Sequence, residues 1–222
     1  MSRRYRVAMI STTIAAIGPM LEEFGRLMPE ADVMHFLDEG LVVEFMRSGG
    51  LSREARVRTL ELARAAEQAG AEIIVCSCST LSPVFGELEP FIGIPMVSID
   101  QAMAEEACRR GSEIIIAATA ESVLQSVLPT FAKAAAAVGR SPEIKTVVLS
   151  DARKLPRSSP EFFEVVGRGV SQAAAGSPVV AVAQCSMAGC LPLVDEEVKE
   201  RVLWGAPYAV RAVKAIAEKL GQ

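Results

Sequence analysis

The chain has 222 residues, half of them hydrophobic and 23% charged, enough to bury a substantial core in one large domain or two small ones. A net charge of −4 with Lys and Arg scattered along the chain excludes a basic nucleic-acid footprint. No apolar run approaches the ~18 residues of a membrane span, and the apolar patch in "MSRRYRVAMIST" is too short for a signal-peptide core. A cytoplasmic location is therefore expected, with no membrane or nucleic-acid partner and with the five cysteines reduced rather than paired.

Strands alternate with helices from the first residues onward. "YRVAMIS" reads as a strand, "IGPMLEEFGRLM" as a helix and "ADVMHFLD" as a strand. Asp38 is placed either to cap the helix that follows or, because its loop follows a strand, to serve the expected cleft. "SREARVRTLELARAAEQAG" is an amphipathic helix with Ser52 as N-cap and Gly70 as stop. "AEIIVCS", "IGIPMVSI", "SEIIIAAT", "EIKTVVLS" and "SPVVAVAQ" are short and Ile/Val-rich. Each is followed by a helical stretch or loop, the pattern of parallel strands covered on both faces. The fold class expected is α/β with parallel sheets.

An internal repeat divides the chain. Aligning "RVAMISTTIAAIGPMLEEF" with "EIIIAATAESVLQSVLPTF" pairs Thr12 with Thr119, and aligning "IIVCSCS" with "VAVAQCS" pairs Cys78 with Cys185. Both offsets are 107 positions (119 − 12 and 185 − 78). Two pseudo-symmetric α/β halves are expected, 1–100 and 101–204, with the helix in 205–222 returning to either half.

In parallel α/β sheets ligands bind beyond the carboxyl ends of the strands, where both Cys78 and Cys185 lie. Two facing halves would bring two thiols to opposite sides of one small molecule. A thiolate on one face can remove a proton from a carbon next to a carboxylate, and a thiol on the other can return one, inverting that carbon. This requires thiols brought down from ~8.5 towards neutrality. Ser79 and Thr80 follow Cys78, and Ser186 follows Cys185, where helices and their anion-binding N-termini are expected to begin. For Ser11, Thr12, Thr119 and Ser122, helix capping and anion binding are equal readings, since both use the same geometry.

These motifs, in this order, resemble the aspartate/glutamate/hydantoin racemase superfamily over nearly the whole chain. Cys78-Ser79-Thr80 matches its Cys-Asn-Thr turn, and Gln184-Cys185-Ser186-Met187 matches its second cysteine turn. Ser11 and Thr12 match the polar end of the first strand, and Thr119 through Ser122 the second-half threonine turn. The resemblance implies two α/β halves with the active site in the cleft between them, and a cofactor-independent racemase or epimerase. Cys78 and Cys185 would be the acid/base pair. Ser11, Thr12, Ser79, Thr80, Thr119, Ser122 and Ser186 would hold a small anionic or cyclic-amide substrate, and a homo-oligomer is expected. Ser79 stands where many amino-acid racemases have Asn, and Met187 where several have His, which leaves an amino acid and a hydantoin both open as substrate. A maleate-type cis–trans isomerase, an arylmalonate-type decarboxylase and a non-catalytic small-molecule binder are the alternatives.

The remaining candidates read as structural. Cys76 points into the strand core and Cys108 lies in a packed helix, while Cys190 ends the second motif near the expected cleft without an arguable role. Cys-x-Cys lacks the usual spacing of a structural zinc site, so no metal is expected. A single histidine, His35, expected at a strand end, excludes multi-histidine sites and argues against a Ser-His-Asp triad.

Overall fold

The computed structural model describes residues 3–221; residues 1, 2 and 222, the outer ends of the expected first half and final helix, lie outside the described residues. Val7, Ala8, Met9 and Ile10 are fully buried in the first strand, β1 (Tyr5–Ser11). A run apolar on consecutive residues must be covered on both faces, because strand side chains alternate sides. The chain supplies that cover from α1 (Ile17–Leu27), α2 (Glu39–Ser48), α3 (Arg53–Gln68) and α4 (Ser82–Leu88), which alternate with β2 (Ala31–Leu37), β3 (Ile73–Cys76) and β4 (Met96–Ser98). All pairings are parallel, in the order β2-β1-β3-β4.

After α5 (Ile99–Arg110) the pattern returns: β5 (Glu113–Ala118), α6 (Glu121–Ala137), β6 (Glu143–Val148), α7 (Pro160–Ala175), β7 (Val180–Val182), β8 (Val202–Trp204) and α8 (Gly205–Leu220). This second sheet is also parallel throughout and has the corresponding order, β6-β5-β7-β8. Ser11 closes β1 and Ala118, 107 positions on, closes β5; Ile73 opens β3 and Val180, again 107 positions on, opens β7. The chain divides into two compact units, one running to Ile99 and resumed at Ala206, the other Asp100–Gly205. Most of α5 thus belongs to the second unit and α8 to the first.

Local sequence accounts for the long helix of the first unit. The Ser52 hydroxyl accepts the Ala55 N–H at 3.0 Å, and its own proton goes to the Glu44 carboxylate. The buried face of α3 is Ala55, Thr59, Ala63 and Ala66, small residues that bring the helix close to the sheet. Gly70 follows at φ +85°, a left-handed conformation that glycine adopts without strain. In the second unit Phe162, Val166, Val170 and Ala174 form the matching stripe of α7 and pack with Val180, Val182, Met187 and Cys190.

Three features depart from the sequence expectation. Edge strand β6, expected to be covered on both faces, exposes Glu143, Lys145 and Thr146, and the other edge strand, β2, exposes Asp32, His35 and Leu37. His35 therefore sits within β2, opposite Met9, rather than at a strand end. Strand β8 was not read from the sequence: its three residues, Val202–Trp204, follow the charged stretch Asp195–Arg201 with no Ile/Val run to mark them. The segment after Cys185 is not an α-helix but a run of 3-10 turns, Cys185–Leu193. Pro192 within it has no N–H to give, and Gly189 lies so close to the Phe163 ring that a Cβ there would come within 2.6 Å of it.

The Ser52 cap yields a direct test of this local account. Ser52→Ala should lower unfolding stability by about 1 kcal/mol, read as a reduced urea midpoint with an unchanged slope. An unchanged midpoint would show that α3 does not depend on its cap.

Candidate functional site

At the carboxyl edge of the first sheet, neighbouring residues of β1 serve different partners because their side chains alternate sides. The Ser11 hydroxyl shares a 2.8 Å hydrogen bond with that of Ser77, and the Thr12 hydroxyl donates to Cys78 Sγ at 2.8 Å. Ser77 N–H continues the strand ladder to the Ile10 carbonyl. Below the turn, Cys76 Sγ accepts the Cys78 N–H at 3.4 Å and donates to the Cys78 carbonyl at 3.3 Å, so the core thiol also braces the turn that carries Cys78. Ser11, Thr12, Ser79 and Thr80 are buried, and Cys78 is partly exposed. Asp38 caps α2 by accepting the Gly40 N–H at 2.9 Å, takes a hydrogen bond from Arg58 at 2.6 Å, and donates its own N–H to the Ser11 carbonyl at 3.0 Å.

The second edge has the same plan with a different wiring. Thr119, equivalent to Thr12, directs both its N–H and its hydroxyl to Gln184 Oε1, each at 2.8 Å. Its hydroxyl thus goes to the residue before Cys185 rather than to the thiol. Ser122 lies in the first turn of α6, half-buried, and its carbonyl accepts the Ser126 hydroxyl at 3.0 Å. The residue at the N-cap of α6 is Ala120, with no side-chain cap. Capping is accordingly not the use made of Thr119 or Ser122, nor of Ser11 and Thr12, since Thr13 caps the turn after β1. Cys185 and Ser186 are buried.

The thiols differ in surroundings. Burial raises Cys78 above the ordinary thiol range; the Thr12 hydroxyl pulls in the opposite direction, followed by the backbone N–H groups of Leu81 and Thr80 and the Thr80 hydroxyl. The expected lowering towards neutrality is thus reversed, because desolvation disfavours the thiolate more than these donors favour it. Cys190 is fully buried in the second core and pushed up to about 12 by desolvation, which removes it from the site. Cys108 is buried in α5, 4.0 Å from the Phe131 carbonyl, and is raised by burial as well. Among the described residues no group of three or more His, Cys, Asp or Glu is placed to hold a metal ion, and no helix is long and apolar enough to cross a membrane.

The Asp/Glu/hydantoin racemase family profile matches residues 9–213. The chain belongs to that family. Solved structures agree on the fold. A glutamate racemase isoform from Bacillus anthracis aligns over 99% of this chain and 84% of its own, with a TM-score of 0.75 and 14% identity. An aspartate racemase homologue from Pyrococcus horikoshii covers 96% and 99%, TM-score 0.70, 18% identity. Allantoin racemase from Klebsiella pneumoniae covers 98% and 89%, TM-score 0.71, 17% identity. Among curated proteins none matches the sequence.

Within this racemase-family chain, sequence reasoning missed Ser77 and Gln184 as organisers of the two strand ends. The signal was available in the 107-residue register, which aligns one with the other: a polar residue precedes each cysteine turn in an otherwise apolar strand.

The donors around Cys78 make a testable claim. A hydrogen bond to a charged group is worth more than one to a neutral group, so removing the Thr12 hydroxyl should raise the Cys78 thiol further. Thr12→Val should slow iodoacetamide alkylation of Cys78 at pH 8 by roughly 10-fold, with Thr12→Ser restoring the rate. Peptide mapping should find Cys76, Cys108 and Cys190 unlabelled in the folded protein. Equal labelling of Cys78 in Thr12→Val and wild type would show that the hydroxyl does not support the thiolate.

Proposed function

We propose that this protein is a cofactor-independent racemase or epimerase of a small carboxylate, amino acid or hydantoin-like substrate, with Cys78 and Cys185 as its two acid/base groups. The observation that carries the reading is the set of donors on one sulfur. The Thr12 hydroxyl donates to Cys78 Sγ at 2.8 Å, and the Thr80 hydroxyl and the N–H groups of Leu81 and Thr80 add influences that favour the thiolate. Such a set has a use when the sulfur bears negative charge for part of a cycle. The names of the structural neighbours, racemases of glutamate, aspartate and allantoin, are consistent with this class.

In this mechanism one cysteine is a thiolate and the other a thiol at the start of each turnover. The thiolate takes the proton from the carbon next to a carboxyl or amide carbonyl. The released electron pair delocalises onto the carbonyl oxygen, where hydroxyl and backbone donors stabilise the charge. The second thiol then delivers its proton to the opposite face of the carbon. Configuration inverts, the two sulfurs exchange protonation states, and the reverse reaction or solvent exchange resets them. A Cys78 held protonated by burial is the form required of the acid in one direction, and its donors ready it to be the base in the other. Ser79, Thr80, Ser122 and Ser186 are the proposed substrate-binding groups, while Ser11, Thr12 and Thr119 spend their hydroxyls on Ser77, Cys78 and Gln184 and support the site from behind.

The test is isotopic. With chiral acids, amino acids and hydantoins supplied in D2O, wild type should place deuterium at the stereocentre of its substrate. Cys78→Ser and Cys185→Ser should each lose about 10²–10⁴-fold of net racemisation, because a hydroxyl is too weak an acid to replace a thiol near neutral pH. Each variant should retain exchange on one enantiomer, and the two should favour opposite enantiomers. Full activity in either variant sinks the two-base reading. One essential and one dispensable cysteine would instead indicate a decarboxylase or a single-nucleophile isomerase.

A further inference from the structure

The Gln184 carboxamide has a fixed orientation. Its contact with the Thr119 backbone is to an N–H, a group that only donates, so the atom facing it must be the amide oxygen. The Thr119 hydroxyl adds a second bond to the same oxygen. Both bonds hold Oε1, and the two N–H bonds of Nε2 are consequently aimed the other way. Among the described residues Nε2 makes no hydrogen bond, and neither do the hydroxyls of Ser122 and Ser186. Ser186 is only 7% exposed. The one side-chain N or O atom in the described residues that is both sealed from solvent and unpartnered is the Ser98 hydroxyl on β4. The Gln184 amide and the two serine hydroxyls are therefore reachable. Three unpartnered donors thus cluster in sequence and topology at the ends of β5 and β7, one beside Cys185 and one locked in direction.

We propose that Gln184 is a substrate-anchoring residue whose Nε2 donates to an acceptor oxygen of the ligand, a carboxylate or amide carbonyl, next to Cys185. Thr119 acts through it as a positioning residue: its two bonds set the amide before the ligand arrives, so little rotamer freedom is lost on binding. This assignment deepens the two-cysteine reading and rests on it for the identity of the site. It also gives the second edge a different task from the first. The equivalent hydroxyl of Thr12 supports the sulfur, whereas Thr119 supports a neutral donor for the substrate.

Gln184→Glu is the decisive variant. It has the same shape and keeps both bonds from Thr119, since either carboxylate oxygen accepts, but it has no donor and carries a negative charge. In 15N-labelled protein the Gln184 side-chain amide is assigned by its disappearance in this variant. Malonate, L-glutamate and allantoin are then titrated separately. At least one should shift that resonance saturably, and Gln184→Glu should weaken the Kd for the same probe by roughly 10-fold or more. Gln184→Leu should weaken it comparably, and Thr119→Val less. A Kd within twofold of wild type in Gln184→Glu overturns the proposal, as does failure of all three probes to move the resonance. Binding that depends on Gln184 with no deuterium exchange at any stereocentre would leave this assignment standing and remove the racemase reading. Racemisation with a Gln184-independent Kd would do the reverse.

Discussion

A parallel strand buried on both faces has no room for polar side chains until its hydrogen-bonded ladder ends. That constraint shapes both units. Val7–Ile10 and Ile73–Cys76 are wholly buried, and the first hydroxyls appear at Ser11 and Ser77, which satisfy each other. One residue further along each strand the side chains turn to the other side, and Thr12 meets Cys78. The hydroxyls of the central strands are collected at one edge because the strand interiors leave them no place. The second sheet obeys the same rule with Thr119 and Gln184.

The burial that builds the fold also works against an acidic thiol. Cys190 shows what desolvation does with little to oppose it: the thiol is pushed up to about 12. Cys78 is raised too, but around it hydroxyl and backbone donors oppose the shift. The difference between a core cysteine and a candidate proton carrier is therefore not exposure alone. It is whether the neighbouring turn aims hydrogen-bond donors at the sulfur. Cys76 takes a third part, its sulfur bonded to both the N–H and the carbonyl of Cys78.

Much of the fold was legible because it rests on local signals. Ser52 and Gly70 bound α3 through a side-chain cap and a positive φ, and the Ile/Val runs mark the central strands. Edge strand β6 misled because its Ile and Val residues share the segment with Glu143 and Lys145, which face solvent. Within the 3-10 run Cys185–Leu193 the Phe163 ring lies against Gly189, a tertiary contact that no window of sequence contains. Of the candidate site, the positions of the cysteines and hydroxyls at strand ends followed from the repeat. The use of Thr119 did not, since whether a hydroxyl caps a helix, holds a thiol or locks an amide depends on a partner 65 residues away.

The first unit is discontinuous, interrupted after Ile99 and resumed at Ala206, whereas the second is a single stretch. During synthesis the order of completion is therefore the reverse of the order of appearance. The strands that carry Thr12 and Cys78 leave the ribosome first, yet α8 joins them only after all of the second unit has been made. The nascent chain carries a complete first sheet that still lacks its last helix while the second unit is already whole, which leaves the early half the longer without its full cover.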